Sequence, residues 1–384
     1  MLLTKKGVLV KYKSGRYVQQ YQYKSFLPEL INKLYIWDDP KINVLLEEAR
    51  GALGELNAFS KLIPDIDFFI TMHVTKEALD SSKIEGTQTQ IDDAILPIED
   101  IPLEKKDDWQ EVRNYINAMH QAIDELKNLP ISIRLICNIH ATLLRGVRGE
   151  HKLPGEIRKS QNWVGGSSIK DAKYIPPHFS DLAELLSDFE KFVNNPNLEL
   201  PELIKIAIAH YQFETIHPFC DGNGRIGRLL ITLQLIEKGY LDKPTLYISN
   251  FFSRNKILYY ETLSSVRENG DMEQWIKFFL AGVLETSNSC SEKLKQIIQI
   301  KDESEKKLLN LGNRAKIARS LLNLLYSNAI VDTNIIVKKL NLTYPRASRL
   351  IKDFLNLGIL KEMNKKELRN KKYYFEEYMN LFVD

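Results

Sequence analysis

Apolar side chains return every three or four residues from Ile42 onward, and this periodicity constrains the fold more than any other feature. It begins in INVLLEEARGALGELNAF and is typical of amphipathic helices that pack on a core. The clearest helical stretches lie at 72–85, 108–127, 130–145, 181–195, 201–214, 225–238, 254–268 and 272–288. The stretch 157–177 is the exception, because its β-rich flanks enclose GGSS and predict a small hairpin. We therefore expect a mainly α fold with one hairpin.

The composition is that of a soluble globular protein. The 384 residues are enough for two or three domains, and the 44% hydrophobic and 27% charged residues are ordinary proportions. No apolar run approaches the roughly 20 residues that span a bilayer, and the start of the chain lacks the apolar segment of a signal peptide. The three cysteines, Cys137, Cys220 and Cys290, are too far apart to suggest a disulfide framework or a metal clamp. We expect a cytoplasmic protein with no membrane partner.

Pattern and charge divide the chain into segments. We predict an irregular arm (1–40) and a helical region within 1–105, a main helical domain over 106–290, a linker helix over 291–310 and a tail domain over 311–384. The tail has three helical stretches followed by a charged turn-and-strand pair, an order typical of a winged helix-turn-helix. From Ser304 it carries sixteen Lys and Arg against eight Asp and Glu, so a basic tail follows an acidic body.

The stretch HPFCDGNGRIGR, from His217 to Arg228, brings many reactive groups into twelve residues. Its glycines let the backbone approach a ligand, and the helix that begins there directs unpaired N–H groups at one point, as in anion sites. Arg225 and Arg228 are three residues apart on that helix, so both guanidinium groups can reach one phosphate group. Asp221 suits Mg²⁺, and His217 can deprotonate a hydroxyl. Attack on a nucleotide phosphate requires this set of groups.

Other interpretations of these residues stay open. His217 before a proline is also found in ordinary loops, and with Asp221 it could form half of a metal site. Phe219 and His210 lie in apolar sequence and predict core packing, and Cys220 predicts a neighbour without a catalytic thiol. The stretch is neither a Walker A loop nor a dinucleotide fingerprint, because no GK[ST] and no βαβ unit accompany it.

The twelve residues match every specified position of HPFx[D/E]GNGRxxR, the signature of the Fic family. The lead-in AIAHYQFETIHPF and the stretch from PTLYISNFFSRN to EQWIKFFLAG are also similar to that family, and the resemblance covers about 45–290. It implies a helical bundle with a hairpin flap, here residues 157–177. It also implies an enzyme that transfers AMP from ATP to a protein hydroxyl, with ATP and Mg²⁺ as its co-substrate and metal.

The resemblance also implies roles for individual residues. His217 is the general base, and Asp221 holds Mg²⁺. The residues implied for ATP binding are Gly222, Asn223, Gly224, Arg225, Ile226, Gly227 and Arg228 of the signature, Asn162, Trp163, Val164 and Gly165 of the flap, and Tyr259, at the position of a nucleoside-contacting tyrosine. The flap is expected to cover the nucleotide and to align the target chain by strand addition.

A second stretch, SSKIEG, fits the inhibitory pattern [S/T]xxxE[G/N] of that family through Ser81, Glu85 and Gly86. The preceding helix ends at Gly86, so Glu85 lies near a helix C-terminus, where the dipole disfavours a carboxylate and favours an arginine partner. In the family this glutamate pairs with the second arginine of the signature, here Arg228, and prevents productive ATP alignment. We expect an autoinhibited enzyme, although three residues are a weak pattern and an ordinary surface glutamate is the alternative.

The basic tail suggests a binding partner. The residues that could contact it are Tyr344, Arg346, Arg349 and Lys352 of a recognition helix and Lys365, Lys366, Arg369, Lys371 and Lys372 of the wing. Winged helices also bind proteins, so DNA and a protein partner both stay open, and we favour the protein.

Several functional alternatives also remain. The core could use another nucleotide, remove AMP from modified proteins, or only sense nucleotide for a DNA-binding regulator. The intact His217 argues against pure sensing, because binding ATP needs no base. The target protein is unknown, and a homodimer is suggested by resemblance alone.

Overall fold

The structure is a computed structural model that describes residues 3–4, 7–63, 66–86, 101–147, 149–363 and 371–382. The chain forms two compact units, one of residues 1–54 and 74–287 and the other of residues 55–73 and 288–384. Within the described ranges, every helix is too short or too polar to cross a membrane.

Helices dominate the chain up to residue 309, as the periodicity predicts. They are α1 (Lys41–Leu62), α2 (Ile66–Ile84), α3 (Lys106–Leu126), α4 (Ile133–Leu143), α5 (Leu182–Asn194), α6 (Glu202–Ile216), α7 (Asn223–Glu237), α8 (Ser249–Arg254), α9 (Lys256–Asn269) and α10 (Met272–Leu309). The stretch predicted as one helix over 254–268 is interrupted at Asn255. The charged stretch 291–310, predicted as a separate linker helix, continues α10 without a break.

The helices α6 and α7 form the buried centre of the first unit. Every residue of α6 from Leu203 to Phe213 is buried, because this apolar stretch has no solvent-facing stripe. Trp275 of α10 donates its indole N–H to Ala207 O at 2.8 Å. The turn that joins α6 to α7, residues 217–222, is therefore held between two rigid helices, and this turn begins the signature stretch.

Residues 1–40 contain regular strands, so the prediction of an irregular arm is wrong. The strands are β1 (Leu3–Thr4), β2 (Gly7–Lys11), β3 (Gly15–Gln19), β4 (Lys24–Pro28) and β5 (Leu34–Ile36). β2 pairs antiparallel with β1 and parallel with β5, whereas β3 and β4 form a hairpin. The strands are short, and the parallel pair joins segments distant in sequence, which local patterns do not reveal. The Phe26 N–H of β4 donates to Ile175 O at 3.0 Å and so joins the arm to the flap.

The flap has one isolated bridge in place of the predicted hairpin. The Val164 N–H donates to Tyr174 O at 2.8 Å, and these two residues form the bridge. Within the loop, the Asp171 carboxylate accepts the backbone N–H of Ser168 at 2.7 Å. Such local side-chain bonds compete with strand pairing, which explains why the β-rich flanks do not extend into strands.

The second unit has shorter elements. Beyond the end of α10 they are α11 (Ala315–Ser327), β6 (Ile330–Val331), α12 (Thr333–Leu340), α13 (Tyr344–Asn356), β7 (Lys361–Glu362), β8 (Tyr373–Tyr374) and α14 (Glu376–Met379). β8 lies between β6 and β7 and is antiparallel to both. The Asp332 side chain caps α12 by accepting the Ile335 N–H at 2.7 Å. Of the predicted wing residues, Lys365, Lys366 and Arg369 lie outside the described residues.

Candidate active site

The end of α6 places the imidazole of His217. The residue has a left-handed φ of +50°, and its N–H donates to Phe213 O at 3.0 Å. Its Nδ1 lies 3.2 Å from Glu214 O. Because a carbonyl oxygen only accepts, Nδ1 carries the proton and Nε2 keeps a free lone pair. Burial lowers the pKa of His217 to about 4, so the ring is neutral at pH 7 and can accept a proton.

The first turn of α7 forms an anion site. Gly222 precedes the helix at a φ of +75°, and the N–H groups of a first turn have no partner within the helix. A Cβ added to Gly224 would lie 2.3 Å from Glu85 Oε1, which shows that a carboxylate rests directly on this turn. A site that accepts carboxylate oxygens here also fits phosphate oxygens.

Three signature residues that the resemblance implies for ATP binding make contacts within the protein. Asn223 Oδ1 accepts the Phe219 N–H and its Nδ2 donates to Phe219 O, both at 2.8 Å. Both polar atoms of this side chain are therefore bonded to the protein backbone. Ile226 is fully buried in the core. A Cβ on Gly227 would lie 2.1 Å from Glu214 Oε1, so this glycine makes room for a carboxyl group. In this structure the Asn223 side chain, Ile226 and Gly227 all face protein groups, and their predicted contact with the nucleotide stays a prediction.

The two arginines of the signature have different partners. Arg225 lies 3.4 Å from Glu111 Oε2 through Nη1 and 3.4 Å from Asp221 Oδ1 through Nη2. Arg228 instead contacts Ser81 and Glu85. The two guanidinium groups thus diverge in this structure, contrary to the prediction that both reach one side, because acidic partners hold Arg225 in its own direction.

Asp221 presents a half-exposed carboxylate at the start of the anion site. Its Oδ1 accepts the Gly222 N–H at 2.6 Å. Its backbone oxygen accepts His140 Nε2–H at 3.0 Å, while His140 Nδ1 accepts the Gly155 N–H at 2.8 Å. Among the described residues no three His, Cys, Asp or Glu side chains form a metal cluster. A Mg²⁺ at Asp221 would therefore take its other ligands from phosphate oxygens and water.

Glu85 and Ser81 meet Arg228 as the inhibitory pattern predicts. Arg228 Nη2 donates to Glu85 Oε1 at 2.8 Å and to Ser81 O at 2.8 Å, and its Nε donates to Ser81 Oγ at 2.9 Å. Burial alone would raise the pKa of Glu85, but the charge and hydrogen bond of Arg228 outweigh it and hold that pKa below its usual value. The Glu85 side chain is 39% exposed, so solvent also reaches the pair. Gly86 ends the helix with a φ of +105°.

The flap contacts the turn that carries His217. Asn162 Nδ2 donates to His217 O at 3.2 Å and to Phe219 O at 2.8 Å, so its side chain joins two loops. Its Oδ1 has no hydrogen-bond partner among the described residues, and its predicted contact with the nucleotide stays a prediction. Val164 makes the bridge, and Gly165 has a φ of +69° in the turn that follows. Trp163 is 40% exposed and presents its ring to solvent.

Tyr259 packs in the core of this structure, and its predicted contact with the nucleoside stays a prediction. It is 1% exposed, its hydroxyl lies 2.8 Å from His210 Nε2, and its ring stacks on Phe252. His210 is packed in the core as predicted, and burial lowers its pKa to about 3. The neighbouring Tyr260 is 40% exposed. In a pair of adjacent tyrosines on a helix only one can face the core, and the sequence does not indicate which.

Sequence reasoning also fails to identify Glu77, which lies on α2 two helical turns before Glu85. Its buried carboxylate accepts the Ser249 N–H at 3.0 Å and the Tyr115 hydroxyl at 3.2 Å. Burial raises the pKa of Glu77 to about 7. The spacing of Glu77, Ser81 and Glu85, four residues apart each time, places them on one face and is the signal that could have revealed it. Arg158 is missed as well, because its partners are backbone carbonyls.

Two family models match this chain. One is described as Fic/DOC family N-terminal and covers residues 44–124, and the other is described as Fic/DOC family and covers residues 130–235. Both ranges fall within the part that resembles the Fic family in sequence.

Curated relatives share the name Protein adenylyltransferase Fic. The one from Drosophila melanogaster is 30% identical over 227 residues, which are 57% of this chain and 42% of that protein. The one from Aedes aegypti is 35% identical over 153 residues, 40% of this chain and 28% of that protein. The chain thus spans less than half the length of these relatives.

A solved structure shares the fold. The crystal structure of a Fic family protein from Desulfovibrio desulfuricans G20 is similar to this structure with a TM-score of 0.58 and 20% sequence identity. The similarity covers 88% of this chain and 97% of that chain, so it extends beyond the ranges of the two family models.

Proposed function

Because this chain belongs to the Fic/DOC family, we propose that it is an autoinhibited protein adenylyltransferase. It transfers AMP from ATP to the hydroxyl of a Tyr, Ser or Thr side chain, on a target protein or on itself, and releases pyrophosphate. One observation carries this proposal: the neutral imidazole of His217, with a free Nε2, adjoins a helix N-terminus that already holds a carboxylate. A base beside an anion site is what hydroxyl attack on a phosphate needs.

In the proposed reaction His217 Nε2 takes the proton of the target hydroxyl. The hydroxyl oxygen forms a bond to the α-phosphorus of ATP, the bond from that phosphorus to the bridging oxygen of the β-phosphate breaks, and pyrophosphate leaves with the electron pair. The Nδ1–H bond to Glu214 O holds the ring in the reactive tautomer and stabilises the imidazolium that forms. Removal of the His217 ring should therefore abolish the chemical step.

The phosphates are proposed to bind at the first turn of α7 and at Arg228. The Glu85 carboxylate now lies beside Gly224, and the free backbone N–H groups of this first turn are proposed to bind a phosphate there. Mg²⁺, when bound at Asp221, supplies charge that offsets the developing negative charge of pyrophosphate. Arg228 adds a guanidinium to the terminal phosphate once Glu85 has left it.

The inhibition follows from competition for Arg228. While Glu85 is bound, the guanidinium is neutralised and the turn at Gly224 is covered. Removing one partner of a fully buried ion pair costs roughly 3–5 kcal/mol. Glu85 is partly exposed, so the barrier to release is smaller, and solvent and nucleotide can displace it. The enzyme is proposed to be slow rather than inert.

The proposal is tested with ATP labelled on either the α- or the γ-phosphate. Glu85→Gly protein with Mg²⁺ should retain α-label and no γ-label, and Glu85→Gly/His217→Ala protein should retain neither. Retention of γ-label would indicate phosphorylation. No label from either ATP would contradict AMP transfer, and the same proteins would then be tested with other nucleotides and for removal of AMP from a modified protein.

The flap is the proposed docking place of the target chain. It lies against the His217 turn through Asn162 and exposes the ring of Trp163. An extended segment of the target added along this loop would bring its hydroxyl towards His217. The target is thus proposed to be modified in an extended, accessible segment.

The sequence pattern alone favours a protein partner for the tail, but the arginines of its recognition helix favour DNA. As a second candidate function we therefore propose that the tail is a winged helix-turn-helix that binds DNA. A cavity of about 330 Å³ opens beside α13 and is lined by Arg314, Arg346 and Arg349. Arg314 also pairs with Asp353, whereas Arg346 and Arg349 are exposed. Exposed arginines on a recognition helix suit phosphate contact.

The DNA proposal is tested by the fluorescence anisotropy of labelled duplexes at several salt concentrations. Binding should weaken with salt, persist in His217→Ala and fall in Arg346→Ala/Arg349→Ala. If no duplex binds at low salt, the tail does not bind DNA, and the protein-binding alternative stands.

A further inference from the structure

Arg158 is a buried guanidinium whose hydrogen bonds all go to backbone carbonyls among the described residues. Its Nε donates to His217 O at 2.9 Å. Its Nη1 donates to Ser160 O at 3.0 Å and its Nη2 to Pro177 O at 2.7 Å. One side chain thus joins the peptide of the base to both ends of the flap.

The geometry at the end of α6 explains why a cation sits there. The last carbonyls of a helix have no partner within it, and the helix dipole makes that end negative. Arg158 Nη2 also lies 3.5 Å from Ile216 O, the last residue of α6, and the Arg158 N–H donates to Pro218 O at 2.9 Å. The side chain and backbone of Arg158 therefore both hold the turn at His217.

Asn162 reinforces the same junction. Its amide donates to His217 O and to Phe219 O, so the His217 carbonyl accepts from Arg158 and Asn162 together. Tyr174, near the far end of the flap, donates its hydroxyl to Thr215 O at 2.6 Å. The flap and the His217 turn are consequently one hydrogen-bonded assembly rather than two loops in contact.

We propose that Arg158 is a positioning residue that fixes the flap relative to His217, so that a chain laid along the flap presents its hydroxyl to Nε2. The predicted effect of Arg158 on the rate rests on the proposed function. The predicted link between the flap and the His217 turn does not. A displacement of about 1 Å between reacting groups costs on the order of 100-fold in rate.

Lysine cannot replace Arg158 in this role. The guanidinium is a planar fork with donors in several directions, and the four carbonyl oxygens lie around it. An ammonium has its donors on one atom and would reach only part of this set. Burial lowers the pKa of Arg158 to about 10, so the group stays charged at neutral pH.

The test compares Arg158→Lys and Asn162→Ala with Lys127→Gln, all in the Glu85→Gly background. Lys127 is the control, because it is a cation outside the flap whose exposed side chain pairs with Asp124. Amide hydrogen exchange is followed for the flap and for residues 213–219, and kcat is measured beside the Kd for ATP. Melting temperature shows whether each variant is folded.

Exchange in Arg158→Lys should rise in both segments together, roughly 10-fold, as expected when a local bonded assembly opens. Its kcat should fall about 100-fold while the Kd for ATP changes less than about 3-fold. Asn162→Ala should show the same pattern more weakly, and Lys127→Gln should match the background. If Arg158→Lys fails to fold, the hydrogen exchange and kcat of Asn162→Ala test the proposal in its place.

Unchanged exchange in both segments, or a loss of ATP affinity that equals the loss of kcat, would overturn the proposal. If the Glu85→Gly background itself transfers no AMP, the proposed function fails. The exchange data then still decide whether Arg158 holds the flap to the turn.

Discussion

The carboxylate of Glu85 binds the guanidinium of Arg228 at 2.8 Å and rests on the first turn of α7. One anion thus neutralises a cation and covers a helix N-terminus at the same time. We propose that a nucleotide phosphate needs both, so that ATP and Glu85 compete for a single place. The predictions below follow from this competition and from the groups around it.

Ser81→Ala should release part of the inhibition. The Ser81 hydroxyl accepts Arg228 Nε at 2.9 Å, and an unpaired buried donor costs about 1–3 kcal/mol. Self-modification should rise several-fold, but less than in Glu85→Gly. Ser82→Ala is the control, because the buried Ser82 hydroxyl has no hydrogen-bond partner within the described part of the chain. Equal rates for the two variants would contradict a role of the hydroxyl.

Gly224→Ala should weaken ATP binding although it also disturbs Glu85. The added Cβ would lie 2.3 Å from Glu85 Oε1 and 2.9 Å from Arg228 Nη1, in the place where a phosphate oxygen must bind. Calorimetry should show a Kd for ATP raised by at least about 10-fold, or about 1.4 kcal/mol. Gly54→Ala, where a Cβ meets nothing within 4 Å, should bind ATP as the parent does. Normal affinity in Gly224→Ala would place the phosphates elsewhere.

The imidazole of His217 should remain neutral across the physiological range. Burial lowers its pKa to about 4, and a group with a lowered pKa gains its proton only when the pH falls towards that value. With ¹³C-labelled histidine, the His217 resonance, identified by its loss in His217→Ala, should not titrate between pH 8 and pH 6. A midpoint within that interval would show that the ring is not buried as the structure has it.

Asp221→Asn should weaken the binding of Mg²⁺ without unfolding the turn. An amide oxygen can still accept the Gly222 N–H, which Asp221 Oδ1 accepts at 2.6 Å, but the negative charge is lost. In the Glu85→Gly background the half-saturating Mg²⁺ concentration should rise at least about 10-fold. Asp107→Asn is the control, because Asp107 is an exposed carboxylate on α3. The same Mg²⁺ dependence in both variants would exclude Asp221 as the ligand.

Sequence reasoning succeeds where function and local structure coincide. The stretch from His217 to Arg228 predicts a base after one helix and an anion site at the start of the next. The structure has His217 at the end of α6 and Gly222 before the first turn of α7, as that prediction requires. The partnership of Glu85 with Arg228 is predicted by a pattern far away in sequence. The main helices are predicted because their apolar faces repeat at a fixed period.

Sequence reasoning fails where a side chain hydrogen-bonds to backbone groups that are distant in sequence. Nothing near Arg158 in sequence indicates that its guanidinium binds the carbonyls of His217 and Pro177. Nor does the sequence indicate that the amides of Asn162 and Asn223 both donate to Phe219 O. In the arm, the parallel pairing of β2 with β5 joins segments that are distant in sequence, and period and composition do not encode it.

The most direct test is the initial rate of self-modification by wild type and by Glu85→Gly at saturating ATP and Mg²⁺, with Glu85→Gln to remove the charge alone. If Glu85 holds the enzyme inactive through Arg228, both variants should be faster than wild type by at least about 10-fold, which corresponds to about 1.4 kcal/mol. Equal rates in all three proteins would show that the Glu85–Arg228 pair does not control access of ATP to the site.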